Sequence, residues 1–138
     1  MADPPSPLAE AVARVGDRWA LLLVNALLAG PRRFNDLQVD LGGIAPNVLT
    51  QRLRHLEREG VVTAVPYSRR PLRVVYQLTA AGHELAGALR LLAQWGASTG
   101  RAEPLRHSPC GTALEARWWC PTCARTADDG EDDGIVHL

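Results

Sequence analysis

Asn47, Gln51, Arg54 and Arg58 recur at spacings of three and four residues, so on a helix they share one side. Their amide and guanidinium forks match the donor and acceptor edges of base pairs in the major groove. A helix that aims them away from its own core is equipped to read DNA, and Thr50 lies beside the same row. Leu49, Leu53 and Leu56 form an apolar stripe on another face, which gives the helix something to bury. The bland alternative is a solvated helix face. A second constellation is His107, Cys110, Cys120 and Cys123, the pattern H-x2-C-x9-C-x2-C. Each x2 turn lets two ligands point at one centre, and four such ligands can close a tetrahedron around Zn2+. The expectation is a small, structural zinc ribbon, with TALEARWW between the turns free to form a β-hairpin. Two other readings stay open: inert reduced thiols, or a redox pair at Cys120 and Cys123, although the βαβ context of such pairs is missing.

Catalytic patterns are lacking. The chain has no GxSxG, no glycine-rich phosphate loop and no HExxH, so no catalytic residues are assigned and an enzyme is not expected. His83 reads as a surface residue, and His137 near the end is at most a spare metal ligand.

The chain of 138 residues, 46% apolar with seven aromatics, suits one helical domain with a small appendage. The net charge of zero hides an asymmetry: residues 1–127 carry fifteen Arg against ten acids, net +5, while five acids sit in the tail. Every basic residue is Arg, the better fork for phosphate and guanine. No apolar run approaches the ~20 residues that cross a bilayer, and MADPPSPLAE lacks the regions of a signal peptide. A cytoplasmic protein with no membrane partner is expected.

The positioning elements follow in order. Residues 1–7 read as a flexible start whose Pro-rich stretch, residues 4–7, cannot be helical, and Leu8 to Gly16 as a short amphipathic helix. Asp17 caps RWALLLVNALLA, apolar almost all round and therefore the central core helix, with Trp19 in the core. The next helix takes Asn35 as N-cap, with Gln38 at the capping-box position and Phe34 as a staple. Gly42 and Gly43 allow a tight turn, Ile44 packs between helices, and Pro46 opens the helix that carries the polar row. After Gly60, VVTAVPY and RVVYQL read as an antiparallel hairpin with Arg69 and Arg70 at its tip, placed for phosphates or the minor groove, or else ordinary surface charge. Thr79 caps one further helix, AAGHELAGALRLLAQWGAS, striped by Leu85, Leu89, Leu92 and Trp95. Trp118 and Trp119 are expected to pack the ribbon on the main domain or on a second copy. The tail ADDGEDDGIVHL reads as disordered and solubilising, or as a competitor for the basic face.

RFNDLQ, GIAPNVLTQRLRHLEREGVV and YQLTAAGHEL, in that order, resemble the HxlR family of bacterial winged-helix regulators, within the MarR-like superfamily. The likeness runs roughly from Val12 to Trp95, and GDRWALLLVNALLAG resembles the family's GGKWTLLIL helix. The resemblance implies a homodimer that binds double-stranded operator DNA, with the helix after the hairpin as the main dimerisation element beside the N-terminal helix. Two departures stand out. Residues 6–10 are SPLAE where many members carry a sensing Cys, so that mode of oxidant sensing should be absent. Ala45 stands where the recognition helix commonly has a Ser cap, so its first amides need another partner, such as a phosphate.

The sequence therefore points to a mainly α fold with a β-hairpin wing (α+β), a winged helix-turn-helix over residues 8–100, a zinc-ribbon-like segment over 101–127 and an acidic tail over 128–138. The expected function is dimeric, sequence-specific regulation of transcription, with any effector unidentified. The alternative is a dithiol redox or metal-responsive protein whose winged helix is only an interaction module.

Overall fold

The computed structural model describes residues 4–127, so the acidic tail and His137 lie outside the described residues. The chain divides into two compact units, residues 1–89 and 90–138.

In the first unit, α1 (Pro7–Val15) starts at Ser6, whose hydroxyl accepts the amide of Ala9 at 3.1 Å. Pro7 is therefore helical, contrary to expectation: at the first helical position its missing N–H costs nothing. Asp17 caps α2 (Arg18–Leu27), which buries Ala20, Leu23, Val24 and Leu27 on one stripe. Trp19 is half-buried against that core, with the Arg18 guanidinium 4.5 Å from its ring centre. The next helix, α3 (Phe34–Asp40), begins earlier than Asn35 would allow. Arg33 takes the N-cap place because Asp36, three residues on, accepts its amide at 3.3 Å. Gly42 and Gly43 hold φ of 41° and 98°, left-handed values that make the sharp turn into α4 (Pro46–Arg58).

Leu49, Leu53 and Leu56 of α4 are fully buried with Leu23, Leu27 and Leu37. Burying each contributes about 1.5–3 kcal/mol, so this leucine cluster is the main force setting α4 against α2 and α3. Strands β1 (Val62–Arg69) and β2 (Leu72–Leu78) pair antiparallel from Val62 opposite Leu78 to Arg69 opposite Leu72, with a bulge at Tyr67. Arg32 joins the sheet through Tyr76, exchanging backbone bonds of 2.9 and 2.7 Å.

One helix was expected after Thr79, and two are found, α5 (Ala80–His83) and α6 (Ala86–Ala97). The helix tightens where Leu85 donates to Gly82, three residues back. Thr79 caps α5 by accepting the Gly82 amide at 3.1 Å. The division between units falls within α6, after Leu89.

In the second unit, β3 (Trp118–Cys120) and β4 (Arg125–Ala127) form a hairpin, and Arg106 bridges Ala113. Pairing thus flanks each x2 turn instead of filling TALEARWW, because each turn reverses the chain within a few residues. Trp118 and Trp119 are 60% and 61% exposed.

Candidate nucleic-acid interface

The polar row of α4 is open to solvent. Asn47, Gln51, Arg54 and Arg58 are exposed, and Thr50 is half-buried. The Thr50 hydroxyl donates to the Pro46 carbonyl at 3.0 Å, so toward a base it offers its lone pairs and methyl. Ala45 makes no side-chain cap, leaving the first turn of α4 without a side-chain partner for its amides. Arg69 and Arg70 stand exposed at the end of the hairpin, as does Arg73 on β2.

In the first unit Arg18 and Arg33 lie over aromatic rings, and the other arginines separate into two groups by their partners. Arg14 pairs with Glu59 at 3.0 Å, Arg32 with Asp40 at 2.8 Å and Arg52 with Asp17 at 2.9 Å. These pairs join elements. Arg14 Nη2 also donates to the Glu59 carbonyl at 2.8 Å, and His55 Nε2 donates to the Arg14 carbonyl at 2.8 Å, so the end of α1 is fastened to the end of α4. Arg54, Arg58, Arg69, Arg70 and Arg73, by contrast, make no ion pair among the described residues. Unpaired guanidinium groups on α4 and the hairpin leave a positive surface whose charge is available to phosphate or base edges.

Three further residues shape this surface and were not singled out by sequence. Arg33 lays its guanidinium 4.9 Å from the ring centre of Tyr67, tying the start of α3 to the hairpin bulge. Arg52 sits in the middle of α4 but turns to Asp17 and not outward. The Tyr76 hydroxyl is pushed up from its ordinary pKa by burial, then by Glu57, with Arg54 opposing, which places Tyr76 near the outward charges of α4. Nothing in residue type distinguishes Arg52 from Arg54; only helical phase does.

The apolar residues assigned to dimer contact separate as well. Leu89 is buried in the core, and Leu85 packs against it. Leu92 and Trp95 are 51% and 75% exposed, and on α1 Leu8 and Val12 are 73% and 57% exposed. Leu89 belongs to the fold of the protomer.

His107, Cys110, Cys120 and Cys123 stand as two pairs, and no three potential metal ligands gather at one point among the described residues. His107 Nδ1 is 3.3 Å from Cys110 Sγ. The Thr112 hydroxyl and amide, then the His107 ring, bring the Cys110 thiol down to about 7. Bonds from Cys123, then the Thr122 amide, lower Cys120. No described helix is long and apolar enough to cross a membrane.

The family described as HxlR-like helix-turn-helix matches residues 14–104, a span that takes in the whole candidate interface and leaves out all three cysteines. The chain is 40% identical over 114 residues to an uncharacterized HTH-type transcriptional regulator, Rv3095 of Mycobacterium tuberculosis, covering 79% of this chain and 72% of the relative. A solved structure of a proposed transcription factor of Pseudomonas aeruginosa is similar, with 34% identity and a TM-score of 0.67 over 87% of this chain and 84% of that one. The reduced form of the transcriptional regulator YodB from B. subtilis is also similar, with 27% identity and a TM-score of 0.61 over 73% of this chain and 97% of that one.

Proposed function

Because the chain belongs to the HxlR-like helix-turn-helix family of transcriptional regulators, we propose that it works as a homodimer, reading operator DNA with α4 and holding the backbone with its wing. It is a DNA-binding transcriptional regulator and not an enzyme, and the family match favours this over the dithiol redox reading. The observation that carries the proposal is the segregation of ion pairs: Arg14, Arg32 and Arg52 pair with carboxylates of other elements, whereas the arginines on the open face of α4 and on the wing make no ion pair among the described residues. Asn47, Thr50, Gln51 and Arg54 occupy the early and middle turns of α4, the part of a recognition helix that reaches base edges. Arg58, Arg69 and Arg70 are suited to phosphates, and a phosphate supplies the cap that Ala45 lacks.

Dimerisation is supported by Leu92 and Trp95 on α6 and by Leu8 and Val12 on α1, large apolar side chains left open in one protomer. A two-fold dimer sets its recognition helices about one helical turn of DNA apart, so the operator should be a near-palindrome. The place of action is the cytoplasm, with the DNA.

Selection of bound duplexes from a random pool tests the reading. Enrichment of two inverted half-sites spaced by roughly one turn supports it. Retention of DNA with no enriched sequence would leave a charged surface without readout.

A further inference from the structure

We propose that the second unit holds one structural zinc ion per chain through His107, Cys110, Cys120 and Cys123. The geometry points there because one turn is built twice. In the first, the His107 amide donates to the Thr112 carbonyl at 2.8 Å, and Arg106 bridges Ala113 just outside. In the second, Cys120 pairs with Arg125, and Trp119 with Thr126 just outside. Both turns therefore have the same length, with a metal-binding side chain at the first and fourth places.

The fifth place is also shared. Gly111 has φ of 72° and Ala124 has φ of 54°, and Ala124 is the one non-glycine residue with positive φ among the described residues. Glycine takes that conformation freely, but alanine takes it at a cost, so a requirement of the turn overrides the preference of the residue.

The distance within the first turn fits as well. Zinc bonds of about 2.0–2.1 Å to N and 2.3 Å to S set two tetrahedral ligands about 3.5 Å apart. His107 Nδ1 and Cys110 Sγ are 3.3 Å apart. The two pairs do not share a centre, so binding brings the turns together and couples metal to the order of the unit. On binding, three thiols release three protons to solvent and the neutral imidazole donates its lone pair, leaving a closed site of charge −1. Four protein ligands leave no open position, so the ion is structural. A disulfide between Cys120 and Cys123 would account for only one of the two matching turns.

The test uses the full chain, reduced, with metal analysis followed by Co2+ titration of the metal-free protein. About one zinc per chain is expected, and Co2+ should give thiolate charge-transfer bands with strong tetrahedral absorption. Cys110→Ser and Cys120→Ser, one from each turn, should each weaken Co2+ binding by roughly tenfold or more. Helical circular dichroism and DNA binding on the same samples show that the winged unit is folded, and keep failure here distinct from failure of the DNA reading. Absent thiolate bands in folded, reduced protein, one zinc per two chains, or full binding by Cys110→Ser would each overturn the proposal.

Discussion

Asp17 Oδ1 stands 2.9 Å from Arg52 Nε while accepting the amides of Trp19 and Ala20 at 2.9 and 3.3 Å, so one carboxylate both starts α2 and holds α4. The Arg52 Nε–H is buried and does not point along a hydrogen bond, which makes the contact an ion pair. Asp17→Ala should cost about 1–3 kcal/mol, from a lost cap and a stranded guanidinium nitrogen. Asp17→Asn keeps the cap and should cost less, since a half-exposed ion pair is worth little by itself. Urea unfolding compares them, and equal losses would mean that the cap contributes nothing.

Gly82 is fixed by space. A Cβ there would run into the Val61 carbonyl, with Leu78 side-chain atoms at 3.1 and 3.2 Å. The contact holds α5 against the turn that leads from α4 into β1, where Thr79 also donates its amide to the Val61 carbonyl at 3.0 Å. Gly82→Ala should destabilise by about 1–3 kcal/mol, against helix propensity, which favours Ala. A melting temperature equal to or above the parent's would contradict this.

Leu89 and Leu92 should fail in different ways. Leu89→Ala opens the core and should lower stability by about 2 kcal/mol or more. Leu92→Glu leaves the protomer fold intact but puts a charge into an apolar seam, so it should give monomers that bind DNA weakly. Light scattering that still reports a dimer for Leu92→Glu would move the interface elsewhere.

The recognition helix and wing were legible because their signals are local: leucines at helical spacing, Gly42 and Gly43 before Pro46, and β-branched runs around Arg69 and Arg70. What escaped was decided by partners distant in sequence. Asp17 and Arg52 meet only once α2 and α4 pack, so Arg52 looked no different from its outward neighbours. The start of α3 is ambiguous in sequence because two overlapping boxes, Asn35 with Gln38 and Arg33 with Asp36, fit the same stretch, and the Arg33 amide bonds to Asp36. The break after His83 and the burial of Leu89 likewise depend on packing that periodicity does not carry.

The central claim is that α4 reads bases while the wing holds phosphates, and a salt-dependent titration tests it most directly. The parent, Arg54→Ala and Arg69→Ala/Arg70→Ala are measured on the selected operator and on random duplex. Arg54→Ala should lose about 1–3 kcal/mol on the operator and little on random DNA. The wing variant should weaken both alike and flatten the salt dependence by roughly one counterion per arginine. If both variants lose operator and random binding in the same proportion, α4 is not the base reader and the account is wrong.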